Sequence, residues 1–239
     1  MELYFIRHGE SFNNALEDPT RRMCDPPLTM RGREQAKLVA AHLNGGQPEG
    51  EDDSPALAQQ NRRGYGIGRI ICSAMLRTME TTAPIAEALQ IRPEVWLDLH
   101  EQYGIWQDTG DGRGPVGYPG LKRKEAESRF PDYDLPDAFA ETGWWNRPVE
   151  TEEEWLARAE RVAAELRNRF GGTEEKIALV SHGGFGNYLI HALLCDGSED
   201  GVYYSHQNTA VSRIDFPESG PVRVRYFNRV EHLPSDLVS

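Results

Sequence analysis

The chain has 239 residues, with 26 Lys and Arg against 38 Asp and Glu, and a formal net charge of -12. Its length favours one large α/β domain, residues 1–239, over two small ones. The negative net charge argues against non-specific binding of nucleic acid and against binding to an anionic membrane surface. Any site for an anionic ligand must therefore be a local positive pocket within a negative field.

Short apolar runs and helical repeats alternate along the chain. Strands are predicted at 2–7, 67–73, within 93–101 and at 176–181, with a closing pair at 210–216 and 222–228. Helices are predicted at 28–43, 77–91 and 152–170 and directly after His182, and Pro84 is expected to break or kink the second of them. This alternation predicts an α/β fold, a three-layer α/β/α sandwich around a mostly parallel sheet.

Two segments interrupt the alternation. Residues 44–66 are polar, rich in Gly and aperiodic, which predicts a flexible insertion. Residues 104–148 are rich in Gly, Pro and Trp, with one short helix at 121–130, and we expect them to cap the site and set specificity. Trp144 and Trp145 are expected to anchor this cap, with stacking on a substrate as the alternative. Five cations of the cap can read a second anionic group, although a solvated surface is the favoured interpretation for most: Arg113, Lys122, Arg123, Lys124 and Arg147.

Two predicted strands end in the same pattern, a histidine followed by glycine. The first leads into Arg7, His8 and Gly9, and the fourth leads into His182, Gly183 and Gly184. Ligands of open α/β sheets bind at the carboxyl ends of the strands, so the two histidines are expected to share one pocket. The glycines let the backbone approach a ligand and leave N–H groups free at the start of the next helix. The other histidines lack this context and are expected to be structural.

Two further residues follow core strands at the same edge of the sheet, Arg77 after the second strand and Glu101 after the third. Guanidinium groups bind phosphoryl oxygens, and a neutral imidazole is a good nucleophile near neutral pH. A carboxylic acid can protonate a leaving oxygen. Together with Arg7, His8 and His182, these residues supply what phosphoryl transfer needs without a metal or another cofactor.

Five segments, taken in chain order, resemble the histidine phosphatase superfamily, the phosphoglycerate-mutase-like enzymes: "FIRHGES" with Asn14, "PLTMRGREQA", "CSAMLRTMETTAP", "LHEQYGIW" and "LVSHGG". The fourth is about one residue shorter than the family's acid-bearing loop. The resemblance implies that His8 accepts the phosphoryl group and that Glu101 donates the proton. It also implies that Arg7, Asn14, Arg77 and His182 bind phosphate, with Gly183 beside them.

A phosphatase acting on a small phosphate monoester is the favoured function. A cofactor-type phosphoglycerate mutase is the alternative, although the family's Lys-His-Tyr stretch after the acid loop is not apparent. A non-catalytic binding module on the same scaffold is a third reading. A cysteine phosphatase built on Cys72 is disfavoured because Arg77 follows it at one position too few. Three cysteines without a CxxC pair predict a reducing cytoplasm. No partner beyond the substrate is indicated, and a homodimer stays open.

Overall fold

The computed structural model describes residues 1–45, 59–61, 64–108, 110–112, 114–194 and 201–239. Within these ranges the chain forms eight strands and five α-helices. No helix in the described ranges has the length and apolar character needed to cross a membrane. The strands are β1 Glu2–Arg7, β2 Arg69–Ser73, β3 Glu94–Trp96, β4 Trp106–Asp108, β5 Pro115–Gly117, β6 Lys176–Ser181, β7 Val211–Asp215 and β8 Arg223–Arg229. The helices are α1 Met30–Asn44, α2 Leu76–Leu89, α3 Arg123–Arg129, α4 Glu152–Phe170 and α5 Gly183–Leu194.

Six strands form one sheet in the order β3-β2-β6-β1-β7-β8, and β4 pairs with β5 in a separate hairpin. The four strands from β3 to β1 are parallel, whereas β7 runs antiparallel to both β1 and β8. The mostly parallel α/β sheet predicted from the sequence is confirmed. Because β1 and β6 are parallel neighbours with Arg7 paired to Ser181, the residues that follow them emerge side by side.

Alternate residues of the central strands face two separate cores. Tyr4, Ile6 and Val180 belong to the core that α1 and α2 cover, together with much of the 104–148 segment. Phe5 and Leu179 belong to the core that α4 and α5 cover. Side chains alternate between the two faces of a strand, and both faces here are apolar, so helices must cover both. The three-layer arrangement follows from this pattern.

The second helix does not break at Pro84. α2 continues from Leu76 to Leu89 through the proline, although proline has no N–H to bond the carbonyl one turn back. Met79 and Ile85, on either side of that turn, are fully buried. Packing of these side chains against the core outweighs the loss of one backbone hydrogen bond. Of the break or kink expected from the sequence, the break is therefore wrong.

The two predicted insertions differ in how much of them the structure describes. The predicted insertion 44–66 lies mostly outside the described residues, although α1 extends to Asn44 at its start. The predicted cap, 104–148, contains the β4–β5 hairpin and α3. Trp144 and Trp145 are buried, and both rings contact His100, with centroid separations of 5.7 and 4.6 Å. These contacts tie the end of the cap to the segment that carries Glu101.

Candidate active site

The two histidines that follow β1 and β6 meet in one buried site. The rings of His8 and His182 lie edge to face with their centroids 5.2 Å apart, and the exposed fractions are 2% and 0%. The close packing of α1 against the chain after β1 requires glycine, because a Cβ added at Gly9 would lie 2.5 Å from the carbonyl oxygen of Gly32. The two histidines thus lie side by side, as the repeated strand–His–Gly pattern predicts.

Hydrogen bonds fix which nitrogen of His8 carries the lone pair. Its Nδ1 lies 2.7 Å from the carbonyl oxygen of Gly9, which can only accept, so Nδ1 donates the proton. Arg77 Nε in turn donates to His8 Nε2 at 3.1 Å. Burial and the neighbouring charges of Arg77 and Arg7 hold the pKa of His8 well below its usual 6.5. His8 is therefore neutral at physiological pH, with its basic nitrogen, Nε2, directed at Arg77.

Arg77 enters the site from the first turn of α2 and is 8% exposed. Asp25, in the loop before α1, accepts from the N–H of Leu76 at 3.1 Å and lies 4.0 Å from Arg77 Nη1. Burial raises the pKa of Asp25 to about 6. Sequence reasoning missed this carboxyl group, because an aspartate in a loop gives no pattern beyond its place just before the "PPLT" that opens α1.

Two buried nitrogens of the site have no hydrogen-bond partner among the residues that the structure describes. These are Nε of Arg7 and Nδ1 of His182. One other nitrogen of each side chain is engaged: Arg7 Nη1 donates to the carbonyl of His206 at 2.6 Å, and His182 Nε2 lies 2.9 Å from the hydroxyl of Ser73. Buried polar atoms rarely lack partners. An anion bound beside His8 would supply acceptors to both nitrogens.

Glu101 lies at the start of α5 and closes the other side of the site. Its carboxylate accepts from the N–H groups of Phe185 at 2.6 Å, Gln102 at 3.0 Å and Gly184 at 3.2 Å. A Cβ at Gly184 would lie 2.8 Å from Glu101 Oε1, so the contact depends on glycine. The N–H groups that the sequence led us to expect free are thus bonded to Glu101. The charge of this carboxylate interacts with both Arg7 and Arg77.

The remaining predicted residues stand at the margin of this cluster. Asn14 is exposed, and its side-chain oxygen accepts from the N–H and hydroxyl of Ser11 at 3.1 and 2.9 Å. Gly183 lies against Arg7, whose Nε would be 3.2 Å from a Cβ built there. The structure thus brings five of the predicted residues into one constellation, namely Arg7, His8, Arg77, Glu101 and His182, with Gly183 packed against it.

Two of the four described cap cations, both arginines, contact other residues of the fold, and the two lysines are exposed. Arg123 Nε donates to the carbonyl of Phe139 at 2.8 Å, and Arg147 Nη2 lies 3.2 Å from His100 Nε2 with its guanidinium over Trp145. Lys122 and Lys124 are exposed at and near the start of α3. Arg113 lies outside the described residues. Arg123 and Arg147 are thus engaged within the fold.

Cys72 is not available as an alternative nucleophile. It is fully buried on β2, and burial raises the pKa of its thiol to about 12. A thiolate is the nucleophilic form of cysteine, and this environment suppresses it at physiological pH.

Comparisons with known proteins show which family and which folds the chain is similar to. The model of the histidine phosphatase superfamily, branch 1, matches residues 3–50 and 47–229. A probable phosphatase of Schizosaccharomyces pombe is 28% identical over 191 residues, which cover 76% of this chain and 73% of that protein. A putative α-ribazole-5'-P phosphatase of Escherichia coli has the same fold, with a TM-score of 0.61, 22% identity and coverage of 96% and 97% of the two chains. A mycobacterial glucosyl-3-phosphoglycerate phosphatase aligns with a TM-score of 0.57, 21% identity and coverage of 96% and 99%.

Proposed function

Because the chain belongs to the histidine phosphatase superfamily, we propose that it hydrolyses a phosphate monoester through a phosphohistidine formed on His8. One observation carries the proposal: the lone pair of His8 Nε2 is fixed beside buried donors that lack acceptors. A neutral nucleophile next to buried cationic side chains is the arrangement that phosphoryl transfer requires.

In the first step His8 Nε2 attacks phosphorus, forming the N–P bond as the ester P–O bond breaks. The electron pair of that bond leaves on the ester oxygen, and Glu101 protonates it. Arg7, Arg77 and the Nδ1–H of His182 bind the phosphoryl oxygens, and Asn14 adds its Nδ2 group from the rim. In the second step water attacks phosphorus and the N–P bond breaks. Glu101 then takes the water proton, and inorganic phosphate leaves.

Hydrolysis is favoured over transfer within one substrate by two observations. The relatives described above are named as phosphatases, and the Lys-His-Tyr stretch of the mutases is not apparent after Glu101.

The lowered pKa of His8 keeps the nucleophile unprotonated in mild acid, which supports an acid-type phosphatase. We also propose a reducing compartment, the cytoplasm, which the free thiols of Cys24 and Cys72 support.

The test is a His8→Ala variant, with His191→Ala as the control histidine outside the site. Wild-type protein quenched during turnover of a labelled monoester should carry an acid-labile, base-stable label. His8→Ala should lose the label and at least about 10³ in rate, whereas the control keeps both. The same reactions are scored for isomerised product, which would identify a mutase. Near-normal turnover by His8→Ala would rule out the covalent mechanism.

A further inference from the structure

Three side chains form a hydrogen-bond bridge between the carbonyl of His8 and the N–H of Glu10. The N–H of Glu10 donates to Gln35 Oε1 at 2.7 Å, and Gln35 Nε2 donates to the hydroxyl of Ser239 at 2.9 Å. That hydroxyl donates to Asn208 Oδ1 at 3.2 Å, and Asn208 Nδ2 donates to the carbonyl oxygen of His8 at 2.8 Å. The mechanism proposed above uses none of the three side chains.

The two ends of the bridge determine the direction of every bond in it. The N–H of Glu10 can only donate, so Gln35 presents its oxygen there and its NH₂ group to Ser239. The carbonyl of His8 can only accept, so Asn208 presents its NH₂ group there and its oxygen to Ser239. A hydroxyl can accept one of these bonds and donate the other. Hydrogen bonds aligned in one direction polarise and strengthen one another.

Both amide side chains of the bridge are held in the interior. Gln35, on α1, is 0% exposed, and Asn208 is 2% exposed. Gln35 Nε2 also donates to the carbonyl of Leu237 at 2.7 Å, and the N–H of Asn208 donates to the backbone oxygen of Ser239 at 2.8 Å. Burying an unpaired amide is costly, so a buried Gln or Asn keeps the orientation that pairs its oxygen and its nitrogen. The two amides are therefore fixed before a substrate arrives.

The residue after Asn208 carries backbone strain. Thr209 is fully buried and has a φ of 58°, in the left-handed region that β-branched residues rarely adopt. In this conformation its N–H donates to the carbonyl of Arg7 at 2.9 Å. Strain of this kind persists only where the surrounding contacts over-determine the backbone, and it clusters at functional sites. Asn208 and Thr209 thus hold the carbonyls of two consecutive site residues, His8 and Arg7.

The peptide groups that the bridge holds are those that orient the imidazole of His8. Its Nδ1 donates to the carbonyl oxygen of Gly9. That carbonyl and the N–H of Glu10 belong to one planar peptide group, so Gln35 fixes the acceptor of Nδ1. The carbonyl of His8 belongs to the preceding peptide group, which Asn208 fixes.

We propose that Asn208 and Gln35, joined through Ser239, are positioning residues for the nucleophile. They hold the imidazole of His8 in the tautomer and the direction that leave the lone pair of Nε2 facing the phosphoryl group. The inference rests on the proposed phosphatase function, in which His8 attacks phosphorus.

The kinetic test measures phosphorylation of His8 by rapid quench at a saturating concentration of labelled p-nitrophenyl phosphate. Asn208→Ala removes the amide, and Asn208→Asp keeps its shape but replaces the NH₂ group with an oxygen. Both should lower the rate constant per folded protein by about 10- to 100-fold, the cost of misplacing a reacting group. The dissociation constant of inorganic phosphate should change by less than about 3-fold, because Arg77 and His182 remain. A wild-type rate constant in Asn208→Asp would overturn the proposal, since it would leave Asn208 a packing role only.

Ser239 provides a variant that does not disturb the core, because its side chain is exposed. Ser239→Ala should lower the same rate constant by about 2- to 10-fold, the worth of one neutral hydrogen bond. The control is Ser235→Ala, which removes another exposed hydroxyl of the same segment and should leave the rate constant unchanged. Equal rate constants for the two serine variants would overturn the part assigned to Ser239.

A spectroscopic test separates this inference from the proposed chemistry. Long-range proton–nitrogen NMR spectra of protein labelled at histidine show which ring nitrogen of His8 carries the proton, and His8→Ala assigns the signal. Wild type should carry the proton on Nδ1 alone. Gln35→Leu and Asn208→Ala should mix the two tautomers, whereas Ser235→Ala should not. An unchanged tautomer in both variants would overturn the inference even if esters are hydrolysed. Mixed tautomers in the variants without any ester hydrolysis by wild type would instead contradict the phosphatase function alone.

Discussion

The buried ion pair between Glu150 and Arg158 should be one of the most sensitive points of the fold. Arg158 is 0% exposed and makes two bonds to Glu150, Nε to Oε1 at 2.7 Å and Nη2 to Oε2 at 2.6 Å. Its Nη1 donates to the carbonyls of Asp98 and His100 at 2.8 and 2.9 Å. Glu150→Ala removes the first two bonds and leaves a buried cation. Two charge-assisted bonds at about 1.5–3 kcal/mol each give a loss of about 3–6 kcal/mol, which agrees with the roughly 3–5 kcal/mol typical of breaking a buried ion pair.

Urea denaturation, extrapolated linearly, measures this loss as a change in the free energy of unfolding. Arg161→Ala is the control, because its pair with Asp98 spans 3.5 Å between side chains that are 59% and 47% exposed. That variant should lose less than about 1 kcal/mol. The double variant Glu150→Leu with Arg158→Met should be less destabilised than the sum of the single variants, since neither charge is left alone. A Glu150→Ala loss no larger than the control would refute the reasoning.

Two more predictions concern the acid and the buried histidines. Glu101→Gln should slow the hydrolysis of an alkyl ester by roughly 10²–10⁴ and that of p-nitrophenyl phosphate much less, because only the poor leaving group needs a proton. Equal slowing of both esters would exclude Glu101 as the proton donor. Asp25→Asn would then be the variant to test next. The free energy of unfolding should fall as pH drops from 6.5 to 5.5. Burial lowers the pKa of His8, His182 and His100 well below 6.5, and that of His206 to about 4, so the unfolded chain takes up protons that the folded one does not. Each histidine contributes roughly 1 kcal/mol over that interval, and Asp25, with its pKa raised to about 6, offsets part of it. Urea titrations at both pH values measure the change, and equal stability at the two would contradict the expectation.

The sequence pattern was informative where burial and chain direction decide the structure. β1, α4 and β6 match their predicted bounds because apolar periodicity and capping residues mark them, including the capping box between Thr151 and Glu154. The pairing of β1 with β6 follows from burial of both faces. The meeting of His8 with His182 then follows from parallel register, without any knowledge of side-chain contacts.

The sequence was uninformative where contacts between residues far apart in the chain determine the structure. β3 is only three residues long and continues into a 3₁₀ turn, so Glu101 comes from a loop rather than a strand end. The β4–β5 hairpin was missed because its strands are three residues each. Asp25 lies in the loop between β1 and α1, where no sequence pattern singled it out. Only tertiary packing brings Asp25 within 4.0 Å of Arg77 Nη1, and neither spacing nor composition encodes that contact.

The same charges set both the binding of an anion and the reactivity of the nucleophile. Arg77 helps to hold the pKa of His8 low, and it also bonds to the nitrogen that must attack. A bound phosphoryl group would compete for that guanidinium and release His8 Nε2 when the electrophile arrives. In the proposed mechanism, removing Arg77 therefore changes two things at once, since it deletes a ligand of the phosphoryl group and makes His8 easier to protonate. The loss of activity in such a variant should grow as the pH is lowered, because protonated His8 cannot attack, and this dependence separates the two roles of Arg77.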